Sequence, residues 1–313
     1  MKTTAELHIT STKLVIRSMS SNAPKSQVIG WWWTKKNILN VVDGTESHTQ
    51  DDNKTIINKV RGEMLNLRGS FFSADGLSVD YAGMGKSEAL LKYEHTVAQL
   101  RCVDLSGTTE IERRSFFINT YNSLLIHALA RSKASTDGTM STLDRMKLYA
   151  KFSYEIGGHA YCLDDIEHGI LRGNKCSPAP LTSPPFSAQD PRLPFIVTCD
   201  PRIHFTLNCG AKSCPPIGVY SDDSEAFERQ LVLATELFLD STVTIDVAKH
   251  SVHMSKILDW YRVDFGGSDA EVLKWVRAHA TQRVAEQIDQ LLLASTGKYP
   301  VLQFDPYDWS VNS

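Results

Sequence analysis

The longest helical pattern in this chain, Glu110 to Arg131, constrains every fold it can adopt. Phe117, Tyr121, Leu124, Leu125 and Ala128 fall at i, i+4, i+7, i+8 and i+11, an apolar stripe that other elements must cover. Thr108 or Thr109 caps its start, and Glu110 and Glu112 occupy the first turn, where the helix dipole favours negative charge. Asn119 and Asn122 sit three apart, close to the apolar face. Buried amides need hydrogen-bond partners. These two either pin the backbone of neighbouring loops or orient a substrate carbonyl or a catalytic histidine.

The elements around this helix alternate in type. Ile57, Val60, Met64 and Leu67 share a helical face, and a second helix covers Ala89 to Leu100. The G-M-G-K-S at Gly83 to Ser87 lacks the earlier glycine of a phosphate loop, because position 80 is Asp80, and reads as a loop. Tyr154 to Tyr161 predicts a hairpin turning at Gly157-Gly158. Leu163 to Arg172 predicts a helix capped by Asp164 or Asp165, with Glu167 and His168 in its middle; neighbours about 100° apart do not pair face to face. A proline-rich connection, Ser177 to Pro194, reads as a surface rim. Then follow a helix from Phe227 to Leu239, a strand at Val243 to Val247 that Ser251 to Met254 can join, and short helices up to residue 293.

Residues 1–57 read as a poorly ordered N-terminal extension, rich in Ser, Thr, Asn, Lys and Asp. Leu14-Val15-Ile16 is a short apolar exception, and Trp31-Trp32-Trp33 is an aromatic cluster that packs on the domain or on a protein partner. Residues 58–313 read as one α+β domain, several helices around a small, mainly antiparallel sheet. A net charge of −3 argues against nucleic acid as a partner, and no apolar run reaches the roughly 20 residues of a membrane span. The expected location is cytoplasmic, and no motif calls for a cofactor.

The densest chemistry lies in D-P-R-I-H-F-T-L-N-C-G-A-K-S-C-P-P, Asp200 to Pro216. As a strand, it alternates Ile203, Phe205 and Leu207 against His204, Thr206 and Asn208, with the polar set facing a cleft. A Cys209–His204 dyad fails in a straight strand, where five residues span roughly 16 Å and an odd offset reverses the face. It requires a bend before Cys209, or another histidine such as His168 or His159. Cys199, His204, Cys209 and Cys214 recur every fifth position, but zinc sites use closer pairs, so no metal is expected. Cys209 and Cys214 instead bracket a short loop able to close a disulfide, with Lys212 beside them to lower a thiol pKa. Six cysteines are too few for a disulfide scaffold, and Cys102, Cys162, Cys176 and Cys199 read as buried structural thiols.

F-F-I-N-T-Y-N (Phe116 to Asn122), L-D-D-I-E-H-G-I-L-R (Leu163 to Arg172), the Asp200 to Pro216 block and the ending P-Y-D-W-S-V-N together resemble the family called domain of unknown function 547, over about residues 60 to 313. The resemblance implies a widespread domain without an established activity, found elsewhere beside glutaredoxin-like and DEP-like modules or behind a coiled coil in plant proteins. The helix–strand layout is also similar to that of papain-like and transglutaminase-like thiol enzymes, an analogy of fold only. The leading expectation is a thiol-dependent hydrolase or transferase acting on a small-molecule or peptide substrate. Cys209 is its nucleophile, His204 or His168 the base, Asn119 or Asn122 the orienting group, and Glu167 a partner for a histidine. A redox pair of Cys209 and Cys214 and a non-catalytic protein-interaction module are the alternatives.

Overall fold

Helix Glu110–Ala130 (α4) is the hub of the computed structural model, which describes residues 36–42, 50–132, 140–179, 182–293 and 299–313. Leu14 to Ile16 and Trp31 to Trp33 lie outside the described residues. The start of α4 follows the expectation: Thr109 and Glu112 form a capping box, each satisfying a backbone N–H of the first turn. Its burial exceeds the expectation. From Ser115 to Ala130 every residue but Asn119 is buried, so the apolar stripe belongs to a helix enclosed on all sides. Around it pack helix Asn53–Phe71 (α1), the turn of helix Tyr81–Met84 (α2), strand Phe152–Ile156 (β2) and helix Ser224–Thr242 (α6). Each fully enclosed Leu or Phe of α4 contributes about 1.5–3 kcal/mol.

One compact unit runs from Lys36 to Ser313. It is α+β, but among the described residues the strands form two mixed three-stranded sheets rather than one mainly antiparallel sheet. In the first, Asn37–Ile38 (β1) pairs parallel with β2, and β2 pairs antiparallel with His159–Cys162 (β3) across the expected Gly157-Gly158 turn. Lys36 ties β1 down, its Nζ lying 2.9 Å from Cys162 Sγ and 3.0 Å from Asp165 Oδ2. In the second, Thr244–Asp246 (β4) and Ser251–Met254 (β5) pair antiparallel as expected, and Val301–Phe304 (β6) adds parallel to β5. In chain order, helices Glu88–Val97 (α3) and Thr142–Lys151 (α5) fall between β1 and β2, and Lys256–Trp260 (α7), Asp269–His279 (α8) and Gln282–Leu293 (α9) fall between β5 and β6. Two apolar cores result. One surrounds α4, α1 and the hairpin; the other gathers the end of α6, the second sheet, α8 and α9.

The Asp165–Leu171 segment is π-helical, not α-helical: Arg172 N donates to Glu167 O and Asn174 N to Gly169 O, each at 2.9 Å across five residues. The helix presses against the proline-rich connection. A Cβ at Gly169 would overlap the ring of Phe186, which is 3% exposed. Gly169→Ala is therefore expected to force Phe186 aside and cost about 1–3 kcal/mol, read as a lower urea midpoint at unchanged slope. An unchanged midpoint would show that the contact gives way freely.

Candidate functional site

The Asp200–Pro216 segment is not a strand. Asp200 accepts the Arg202 N–H at 3.0 Å, and Pro201 supplies the helical φ at the first position, so Pro201–Phe205 winds into a 3-10 turn. Thr206 closes it, its hydroxyl donating to Ile203 O at 2.7 Å. Side chains of such a turn point in three directions rather than two. Ile203 and Leu207 therefore enter the first core and Phe205 the second, and the segment forms the seam between them. His204, Thr206 and Asn208 are buried instead of facing a cleft.

His204 enters a buried network together with Glu167 and His168. Its Nε2 donates to Asp264 Oδ2 at 2.9 Å, and its ring stacks on Tyr261 with centroids 3.9 Å apart. Asp264 also accepts from Arg172 Nε at 2.7 Å and from Lys175 Nζ at 2.8 Å. Arg172, 1% exposed, donates to His168 Nδ1 at 3.1 Å and to Cys176 O at 2.8 Å. Glu167 accepts from Tyr261 at 2.5 Å and Tyr121 at 3.1 Å, while its Oε1 lies 3.8 Å from His168 Nδ1, beyond hydrogen-bond reach. Burial would raise the Asp264 carboxyl, but hydrogen bonds from His204, Arg172 and Lys175 outweigh it and hold the group well below the carboxylate range. Burial pushes both histidines below their ordinary value, against the pull of Glu167 and Asp264. Each is thus a neutral, committed ring. Nearby Asp164 is pushed up to about 7 by burial and then by the charges of Glu167 and Asp165.

The cysteines form a second centre. Cys209 and Cys214 are joined as a disulfide with Cα atoms 6.2 Å apart. Asn208 shapes their loop, accepting Gly210 N–H and donating to Pro215 O, both at 2.7 Å, and Gly210 takes a φ of 77° that its missing side chain permits. Asn122 holds Asn208 in turn: its amide donates to Thr206 O at 2.9 Å and accepts Asn208 N–H at 3.0 Å. Asn119 makes the same two-bond clasp on Tyr220, both bonds 2.8 Å, so each amide serves backbone. No hydrogen bond joins either histidine to a sulfur among the described residues.

The C-terminal residues complete this centre. Lys212 N donates to Ser310 O, Ser213 N to Asp308 O, and Asn312 N to Gly210 O, which lays residues 308–312 along the loop. That placement sets the Tyr307 hydroxyl 3.2 Å from Cys209 Sγ and 3.1 Å from Cys214 Sγ. Cys209 N–H reaches Cys214 Sγ at 3.0 Å, while Cys209 O accepts from Tyr149 at 2.8 Å and Arg145 at 3.3 Å. Burial pushes the Tyr307 hydroxyl up, so it stays a donor. Tyr307 stands in the P-Y-D-W ending, which carried part of the family resemblance but suggested no role; Asp264, Tyr261 and Arg145 carried no comparable signal. Of the remaining cysteines, only Cys162 is buried, and Cys176 is exposed, contrary to the reading of all four as buried.

No three or more His, Cys, Asp or Glu among the described residues gather as metal ligands, and none of the described helices is long and apolar enough to cross a membrane. Residues 105–239 match the family described as "Protein of unknown function, DUF547". The match takes in α4, the hairpin, the π-helix and the cysteine loop, and ends before Tyr261, Asp264 and Tyr307 close the two centres. No curated protein and no solved structure matches the chain.

Proposed function

We propose that this chain, which resembles that family of unknown function over residues 105–239, is a thiol protein whose Cys209–Cys214 pair undergoes thiol–disulfide exchange. The observation that carries the reading is one hydroxyl within hydrogen-bond reach of both sulfurs of a closed pair. Cys209 is half-buried while Cys214 is 6% exposed, so Cys209 is the sulfur an outside thiolate attacks. The new bond joins the outside sulfur to Cys209, the Cys209–Cys214 bond breaks, and Cys214 leaves as a thiolate that Tyr307 O–H and Cys209 N–H stabilise. A second outside thiol attacks the mixed disulfide at its outside sulfur and completes the exchange. Two thiols become one disulfide and the protein pair is reduced; the reverse oxidises it. The acyl-transfer reading, with Cys209 as nucleophile and His204 or His168 as base, has weaker support because both rings are engaged with Asp264 and Arg172.

The test is differential labelling of the air-oxidised chain with iodoacetamide. Cys209 and Cys214 are expected to label only after reduction, and Cys214→Ser to trap a mixed disulfide at Cys209 at least about tenfold faster than Cys209→Ser traps one at Cys214. Tyr307→Phe should slow opening about tenfold, the value of one hydrogen bond to a developing thiolate. Fast labelling of Cys209 alone, with no prior reduction, would return the acyl-transfer reading. Slow labelling of both cysteines before and after reduction would leave a non-catalytic interaction module.

A further inference from the structure

We propose that Lys36 and Cys162 form an oxidation-dependent covalent cross-link, in which a single oxygen bridges the lysine nitrogen and the cysteine sulfur. This goes beyond the exchange at Cys209 and Cys214 and does not depend on it. Lys36 Nζ lies 2.9 Å from Cys162 Sγ, a separation usual for N–H···O although sulfur is the larger atom. Asp165 Oδ2 faces both, 3.0 Å from the amine and 3.1 Å from the sulfur, and accepts the Cys162 N–H at 3.0 Å. Arg192 Nη1, 3.2 Å from the same oxygen, also holds the carboxylate. A thiol, an amine and a carboxylate able to take a proton from the amine thus meet in one cluster. Cys162 is 1% exposed, whereas the Lys36 side chain is 28% exposed, so a small oxidant can enter beside the amine while a bulky thiol cannot.

The oxidant is a peroxide, and the chemistry takes two steps. First, hydrogen peroxide transfers one oxygen to the Cys162 thiol, giving a sulfenic acid and one water. Burial and then the Asp165 charge push this thiol up, against the pull of Lys36, so the step is slow. The oxidised sulfur of this free cysteine then lies against an amine rather than a second thiol. Lys36 gives its ammonium proton to Asp165, which passes it to solvent. A second peroxide completes the reaction: an N–O bond forms between the amine nitrogen and the sulfenic oxygen, the nitrogen keeps one hydrogen, and two waters leave. One thiol, one amine and two peroxides become one N–O–S bridge and three waters. Sulfur and nitrogen each lose two electrons, and the peroxides gain them. The bridge anchors the chain at the start of β1, a two-residue strand, to the last residue of β3, 126 positions away.

The experiment treats the full chain with excess hydrogen peroxide, removes the peroxide with catalase, digests with chymotrypsin and maps the peptides by mass. A pair of peptides joined through Lys36 and Cys162 is expected, heavier than its two unmodified parts by about 14 Da and released by dithiothreitol. Lys36→Arg keeps a cation beside Asp165 but supplies no amine, so the link should vanish and Cys162 should accumulate as sulfinic acid. Cys162→Ser should lose the link as well and leave the Cys209–Cys214 disulfide unchanged. The proposal is overturned by a link that persists in Lys36→Arg. It is overturned equally if the parent chain yields Cys162 as free thiol or sulfinic acid with Lys36 unmodified. A link lighter than its parts by about 2 Da would be a direct S–N bond and would sink the oxygen bridge.

Discussion

Asp264→Ala is expected to lower the stability of the chain by about 3–5 kcal/mol, because it strands two buried partners at once. The Asp264 side chain is fully enclosed and is the acceptor for Arg172, 1% exposed, and for His204, 3% exposed. Without it a buried guanidinium keeps hydrogen bonds to His168 and a backbone carbonyl and its place over the Tyr261 ring, but loses its carboxylate hydrogen-bond partner. Urea unfolding should show the loss as a lower midpoint, and a shift of less than about 1 kcal/mol would mean that water enters the seam and solvates Arg172. Lys175, 44% exposed at its side chain, adds little to this figure because solvent screens its pair with Asp264.

The same network sets the acid response. The carboxyls of Asp264 and Glu167 lie below their ordinary values of 3.8 and 4.5, so their contribution is complete above those values and is lost as the pH falls through the lower folded values. Between about 7 and 4 the groups oppose one another. The buried histidines resist protonation that the unfolded chain accepts below 6.5, which destabilises, whereas Asp164, at about 7, takes up its proton early in the folded state, which stabilises. Stability should therefore vary gently across that range and fall steeply below about 4.5. A steep loss beginning near pH 6.5 would show that the histidines dominate.

Asn122→Ala is expected to cost about 2–4 kcal/mol, since it leaves Thr206 O and Asn208 N–H buried without partners. The effect should also reach the cysteines. Asn208 holds Gly210 and Pro215 on either side of the pair, so a loosened Asn208 widens the range of Cys209–Cys214 separations. The chain should re-form its disulfide more slowly after reduction, followed as free thiols against time. Asn119→Ala, which releases Tyr220 rather than the cysteine loop, is the control: comparable destabilisation with normal disulfide closure. Equal closure rates in the two variants would separate Asn122 from the site.

Local signals were readable where neighbours in sequence decide the outcome. The Thr109 cap, the Gly157-Gly158 hairpin and the β4–β5 pair needed only short-range patterns, and all three occur. The Asp200–Pro216 segment was misjudged for a definite reason. Apolar residues at 203, 205 and 207 satisfy the two-residue period of a strand, but Asp200-Pro201 starts a 3-10 turn that distributes the same residues between two cores. The Leu163 to Arg172 pattern likewise does not distinguish an α-helix from a π-helix.

By itself the sequence determined that one long helix with an apolar stripe organises an α+β domain, that Asn119 and Asn122 need partners if buried, and that Cys209 and Cys214 lie close enough along the chain to bond. Only the tertiary structure decided what faces them. Asp264 lies 60 residues from His204, and Tyr307 lies 98 residues from Cys209. Contacts at such separations are set by how two cores close against each other, a property of packing in three dimensions that leaves no period in the sequence. The histidines were thereby drawn into the seam and the sulfurs to a loop beside Tyr307, which is why the chain holds two centres where its sequence suggested one.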